Sequence, residues 1–129
     1  MYTYLIVDDE MIERKGIRML LSRMNIRENI LENILEASNG EEALEVFEKE
    51  KIDVLLTDIN MPFMDGIELL SRIHEAYPGT ETVIFSGYDE FSYAKKAISY
   101  GVFAYILKPV NPEEFEKVVG EITEKLDKE

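Results

Sequence analysis

Short apolar runs that return about five times, each followed by a longer amphipathic stretch, constrain this chain more than any other feature. Leu5-Ile6-Val7, Ile34-Leu35, Val54-Leu55-Leu56, Val83-Ile84-Phe85 and the run from Phe103 to Leu107 read as strands. Several are apolar without alternation, which is the pattern of strands covered by helices on both faces of a parallel sheet.

The stretches between them carry helical spacing. Ile17, Leu20, Leu21 and Met24 fall on one face at i, i+3, i+4 and i+7, as do Phe115, Val118, Val119 and Ile122, with Leu126 a turn further on. Ile67, Leu70, Ile73 and Tyr77 mark another helix. Ala94, Ala97 and Ile98 mark one with a small-residue face. A shorter helix spans Glu41 to Glu50, turning Ala43, Leu44 and Phe47 inward after an Asn39-Gly40 entry turn. Pro78-Gly79 stops the third helix, and Pro112 sits in the first turn of the last, where a missing N–H costs nothing. The segment from Asn25 to Asn33 is open between a helix end with a loop and an extra helical turn. Strand-then-helix repetition predicts an α/β fold, a doubly wound five-stranded parallel sheet with right-handed crossovers and helices on both faces. No linker or internal repeat divides residues 1–129, so one domain is expected.

Composition narrows the partners. There are 27 acidic and 14 basic side chains, a formal charge of −13. Such a surface repels phosphate backbones, which argues against direct nucleic-acid binding and is compatible with cation binding where carboxylates converge. With no cysteine, disulfides and thiolate metal sites are impossible. Met1-Tyr2-Thr3-Tyr4 leads straight into an apolar strand and Asp8-Asp9-Glu10, unlike a signal peptide. No apolar run approaches the ~20 residues of a membrane span. A cytoplasmic location with no membrane partner is expected.

In open α/β sheets, ligands bind outside the carboxyl ends of the strands, where the strand order reverses. The first strand ends in Asp8-Asp9, the third in Asp58, the fourth in Ser86-Gly87 and the fifth in Lys108-Pro109. Each has a plain alternative: Asp9 and Asp58 as helix caps, Ser86-Gly87 as a turn, Lys108 as a solvated loop residue. Together they change the reading. Three carboxylates on one rim repel one another unless protonated or bridged by a cation, and Lys108 is the one obvious counter-charge. Mg2+ suits such oxygen ligands and retains sites for water and a phosphate oxygen. A carboxylate attacking phosphorus gives an aspartyl phosphate, and phosphoryl transfer needs chiefly cations and hydrogen-bond donors around the equatorial oxygens.

Six stretches in order carry a family resemblance: Leu5-Ile6-Val7-Asp8-Asp9-Glu10, Asn39-Gly40-Glu41-Glu42-Ala43-Leu44, Thr57-Asp58-Ile59-Asn60-Met61-Pro62, Met64-Asp65-Gly66, Ser86-Gly87-Tyr88 and Lys108-Pro109. Over essentially its full length the chain resembles the receiver domains of two-component response regulators. The stretches from Ser86 to Ile98 and from Tyr105 to Val110 resemble the subgroup attached to AraC-type DNA-binding domains. The resemblance implies a flavodoxin-like fold and Asp58 as phosphoacceptor. It implies Asp9 as direct Mg2+ ligand, Asp8 assisting partly through water, and the backbone carbonyl of Asn60 completing the protein ligands. Lys108 would pair with the phosphoryl group, and Ser86 would move to hydrogen-bond it. Tyr105 would be the rotameric switch; read alone it is a strand tyrosine with its hydroxyl at the surface. The Lys108-Pro109 bond would be cis, and Asn60 and Tyr88 would flank the path of hydrolytic water.

The resemblance also implies a histidine kinase as phosphodonor. It implies a fourth-helix, fifth-strand, fifth-helix face able to pair with a second copy, and DNA contact only through an output domain that these residues do not include. No turnover enzyme is expected, only self-catalysed phosphoryl transfer and autodephosphorylation. His74, the single histidine, reads as a surface residue rather than a phosphohistidine relay, and Lys95-Lys96 as a solvated helix face. Phe63 and Met64 are open between core packing and contact with a kinase. A phosphatase using an aspartate nucleophile needs a second acid two residues on, where this chain has Asn60. A flavodoxin-type electron carrier needs a hydroxyl- and glycine-rich loop where it has Asp8-Asp9-Glu10. A pseudo-receiver scaffold would lack residues that are all present here.

Overall fold

The computed structural model describes residues 2–24, 33–87 and 91–129, and for 91–94 the backbone alone. Five strands alternate with five helices: β1 Tyr4–Val7, α1 Met11–Met24, β2 Ile34–Ala37, α2 Gly40–Lys49, β3 Val54–Asp58, α3 Gly66–Ala76, β4 Glu81–Ser86, α4 Phe91–Ser99, β5 Ala104–Leu107 and α5 Pro112–Asp127. All neighbouring strands are parallel, in the order β2-β1-β3-β4-β5. The chain therefore winds outward from β1 to one edge and from β3 to the other. The reversal lies between β1 and β3.

Period-two alternation along the strands fills both faces. Tyr4, Ile6, Leu56 and Phe85 point to the side covered by Ile17 and Leu21 of α1 and by Phe115, Val119 and Ile122 of α5. Leu5, Val7 and Leu55 point the other way, under Ala43 and Phe47 of α2 and Leu69 and Ile73 of α3. Ile59, Ile67, Leu70, Ile84 and Ala97 close the gap between α3 and α4. Burying Phe115 and Leu21 completely contributes about 1.5–3 kcal/mol each relative to exposure.

Side-chain oxygens start three helices. Asn39 accepts from the Glu42 N–H at 2.8 Å, Asp65 from Glu68 at 2.8 Å, and Asn111 from Glu113 and Glu114 at 2.9 and 3.1 Å, with Pro112 just inside α5. Each cap satisfies donors the first turn leaves open, about 1 kcal/mol apiece.

Some expectations need correction. Ile98 is exposed, not part of the inner face of α4; the adjacent Ala97, about 100° away round the helix, is the residue that packs against Ile59, Ile67, Leu70 and Ile84. Phe103 lies just before β5; its N–H bonds to Thr82 O at 2.7 Å, and the Lys125 ammonium lies 5.8 Å from its ring centroid. Met64 is buried while Phe63 is fully exposed at φ +68°. The open segment at 25–32, and Tyr88, lie outside the described residues.

Candidate metal centre at the strand ends

Asp8, Asp9 and Asp58 each bring a carboxylate oxygen within 4.8 Å of the others. The topology does this: Val7 pairs with Thr57 across β1 and β3, so the residues that follow each strand emerge side by side at the reversal point. Asp8 and Asp58 are buried and Asp9 is exposed. The Lys108 ammonium reaches Asp58 Oδ1 at 2.9 Å and Asp8 Oδ2 at 3.6 Å. The Lys108–Pro109 peptide is cis.

Asp8 is held from several directions. Its N–H bonds to Ala37 O at 3.2 Å, its Oδ1 accepts from the Glu10 N–H at 2.9 Å, and its carbonyl accepts from Arg14 Nη1 at 2.7 Å. Asp8 rather than Asp9 therefore engages the start of α1. Asp58 is set by β3 and by a tight return of the chain: Ile59 N–H bonds to Phe85 O at 2.9 Å, and Gly66 N–H bonds to Ile59 O at 2.8 Å. A Cβ at position 66 would sit 2.5 Å from Asp58 O and 2.7 Å from Ile59 Cα. Only glycine lets α3 begin this close to the strand end.

Electrostatics follow from burial. Loss of solvent raises the Asp8 carboxyl to about 6, with the negative charge of Asp58 adding to the effect and Lys108 opposing it. Burial also raises Asp58, against the hydrogen bond from Lys108. Burial pulls Lys108 down, but its contacts with Asp58 and Asp8 outweigh that and leave it raised, so it is a firm cation. Three carboxylates and one ammonium leave an excess of two negative charges when all are ionised. The donor set consists of oxygens alone, which fits a hard dication such as Mg2+.

On the same rim, the buried Ser86 hydroxyl is hydrogen-bonded to the Tyr105 hydroxyl, and Ser86 O accepts from the Lys108 N–H at 2.7 Å. Tyr105 thus points inward already, not to the surface. Asn60 is exposed on the loop after β3. His74 is exposed on α3, its ring 6.5 Å from that of Tyr100. Sequence reasoning missed Arg14 and Glu13. Glu13 is exposed at the head of α1, and its charge acts on both Asp8 and Lys108.

Fold and site together define a doubly wound, flavodoxin-like domain that gathers carboxylates and a lysine at the reversal of its sheet. The chain belongs to the response regulator receiver domain family, whose model matches residues 4–120. It is 34% identical over its whole length to the uncharacterized transcriptional regulatory protein YesN of Bacillus subtilis, covering 34% of that protein. It is 33% identical over 98% of its length to the transcriptional regulatory protein HptR of Staphylococcus aureus, covering 48%. The chain therefore spans a third to a half of these relatives. Among solved structures it is similar to the receiver domain of AraT, a response regulator from Geobacillus stearothermophilus. There the TM-score is 0.84 and identity 40%, covering 98% of this chain and 96% of that one. A two-component transcriptional regulator AraC from Clostridium phytofermentans matches with a TM-score of 0.77 and 33% identity, covering 96% and 97%. No helix among the described residues is long and apolar enough to cross a membrane.

Proposed function

We propose that this domain is a phosphoacceptor switch that takes a phosphoryl group from a histidine kinase onto Asp58, with Mg2+ held by Asp8, Asp9, Asp58 and the Asn60 carbonyl. The observation that carries the proposal is the convergence of three carboxylates within 4.8 Å with Lys108 bonded to Asp58. Bound there, Mg2+ would offset the excess negative charge and draw in phosphoryl oxygens.

The Asp58 carboxylate attacks phosphorus in line with the departing nitrogen. The P–N bond breaks, its electron pair returns to the imidazole, and an O–P bond forms on Asp58. Lys108 follows the negative charge from the carboxylate to the phosphoryl oxygens. The new group carries roughly two negative charges and draws the Ser86 hydroxyl towards itself. Because Ser86 already holds Tyr105, the tyrosine follows an existing hydrogen bond and need not first turn in. Repacking then spreads over α4, β5 and α5, shifting an equilibrium between two arrangements of that face. A second copy or an output domain acting on transcription would read the change, in the cytoplasm. The chemistry is self-catalysed phosphoryl transfer and autodephosphorylation, not turnover.

Intact mass with acetyl phosphate and Mg2+ tests this directly. One phosphoryl adduct is expected on the native protein and none on Asp58→Asn. Stoichiometric labelling of that variant would remove Asp58 from its role.

A further inference from the structure

The strongest feature outside the acidic rim is a basic cluster gathered on one carboxylate. Glu36 lies on the edge strand β2, opposite Ile6 of β1. Its Oε1 accepts from Arg14 Nε at 3.1 Å, and its Oε2 from Lys15 Nζ at 3.0 Å and Arg18 Nε at 2.6 Å. Arg18 also donates to Ile34 O at 2.9 Å, which ties α1 to the strand on which Glu36 sits. Burial raises the Glu36 carboxyl, but hydrogen bonds from the three cations outweigh this and hold it below the usual range. The pair made by Lys15, whose side chain is 58% exposed, contributes little. Arg14 differs from Lys15 because its side chain is only 15% exposed and because it has a second partner.

That partner is the backbone of Asp8. While Arg14 Nε is on Glu36, Nη1 is 2.7 Å from the Asp8 carbonyl. A planar guanidinium can hold two acceptors at a set angle; an ammonium on a flexible stem cannot. The corner where β1 turns into α1 is thus clamped against β2 by one side chain, anchored by a carboxylate that two further cations keep in place. Asp8 and Asp9 leave the chain at that corner.

We propose that Arg14, anchored by Glu36, is a positioning residue for the candidate metal centre, holding the Asp8 backbone so that the Asp8 and Asp9 carboxylates converge with Asp58. The inference rests on the reading of those carboxylates as Mg2+ ligands. Its direction separates it from a simple charge effect. Removing a cation near an acidic site should tighten binding of a dication by Coulomb's law, whereas removing a strut should weaken it.

Titration calorimetry of the full chain with MgCl2 alone, without phosphodonor, tests the proposal. Arg14→Met is expected to weaken Mg2+ binding about 10-fold, the lower end of what outer-shell residues contribute. Glu36→Gln should weaken it less, and Lys15→Met, which leaves the Asp8 carbonyl contact intact, should stay within about twofold of the native protein. Arg14→Lys, able to keep one partner, should fall between the native protein and Arg14→Met, and it replaces Arg14→Met if circular dichroism shows that variant unfolded. Unchanged or tighter binding in the Arg14 variant, or an equal loss in Lys15→Met, overturns the positioning role. Absence of binding by the native protein overturns the metal reading itself, and the inference with it.

Discussion

Charging Asp8 in the folded protein should cost stability that can be recovered by Asp8→Asn. The carboxyl sits at about 6 when folded, against 3.8 for an unburdened aspartate. At 1.36 kcal/mol per unit, that gap is about 3 kcal/mol. The sign is fixed by linkage: between pH ~4 and ~6 the folded state binds more protons at this group than the unfolded one, so stability falls as pH rises through that window. Below it the penalty is absent, and above it the penalty is complete. Asparagine keeps an oxygen for the Glu10 N–H but gives up the 3.6 Å contact with Lys108, which offsets part of the gain. A net stabilisation of about 1–2 kcal/mol near neutral pH follows, equivalent to roughly 3–8 °C in Tm for a domain of this size. Thermal melts of both proteins in EDTA, at about pH 7.5 and about pH 4, would measure it. A variant no more stable than native at the higher pH, or equally stabilised at both, would refute the claim that burial of the charge is the cause. Adding Mg2+ should stabilise the native protein and do much less for the variant.

Other consequences are local. Gly66→Ala forces backbone to move at the Asp58 carbonyl and should cost about 2–3 kcal/mol in urea unfolding, with slower acetyl phosphate labelling; Gly40→Ala meets the flexible Met64 side chain, with Sδ at 2.5 Å, and should cost less. Phe63→Gly removes a left-handed, fully exposed aromatic and should raise stability by about 0.5–1 kcal/mol without changing Mg2+ affinity; a loss of stability would mean the ring makes a contact that its exposure denies.

The sheet was legible because unbroken apolar runs such as Val54-Leu55-Leu56 have few other uses in a chain this acidic. The acids were legible because the rule about strand ends said where to look, and the wound topology does bring Asp8, Asp9 and Asp58 together. Loops carry no such period. Nothing in Pro62-Phe63-Met64 says which apolar side chain turns in; the choice is made by the void above Gly40, which Met64 fills. Ile98 misled because it stands one residue past the buried Ala97, about 100° round the helix, and that turn carries it to the solvent side. Arg14 left a trace that could have been followed. It stands three and seven residues before Ile17 and Leu21, so it lies on the buried face of α1, an unusual place for a cation without a partner. Its partners, Glu36 and the Asp8 carbonyl, depend on strand register, which local pattern does not reveal.

The acids issue from strands flanked on both sides, but Lys108 and Tyr105 are delivered by β5, a four-residue strand with a single neighbour. Stiffness across the rim is therefore uneven. A border strand can tilt by breaking one ladder, whereas shifting β1 or β3 would break two. Backbone amides of 104–107 should exchange with deuterium before those of 4–7 and 54–58. Strain arising at Lys108 or Tyr105 will relax outward through β5, which gives the rim a yielding border beside a fixed centre before any partner binds.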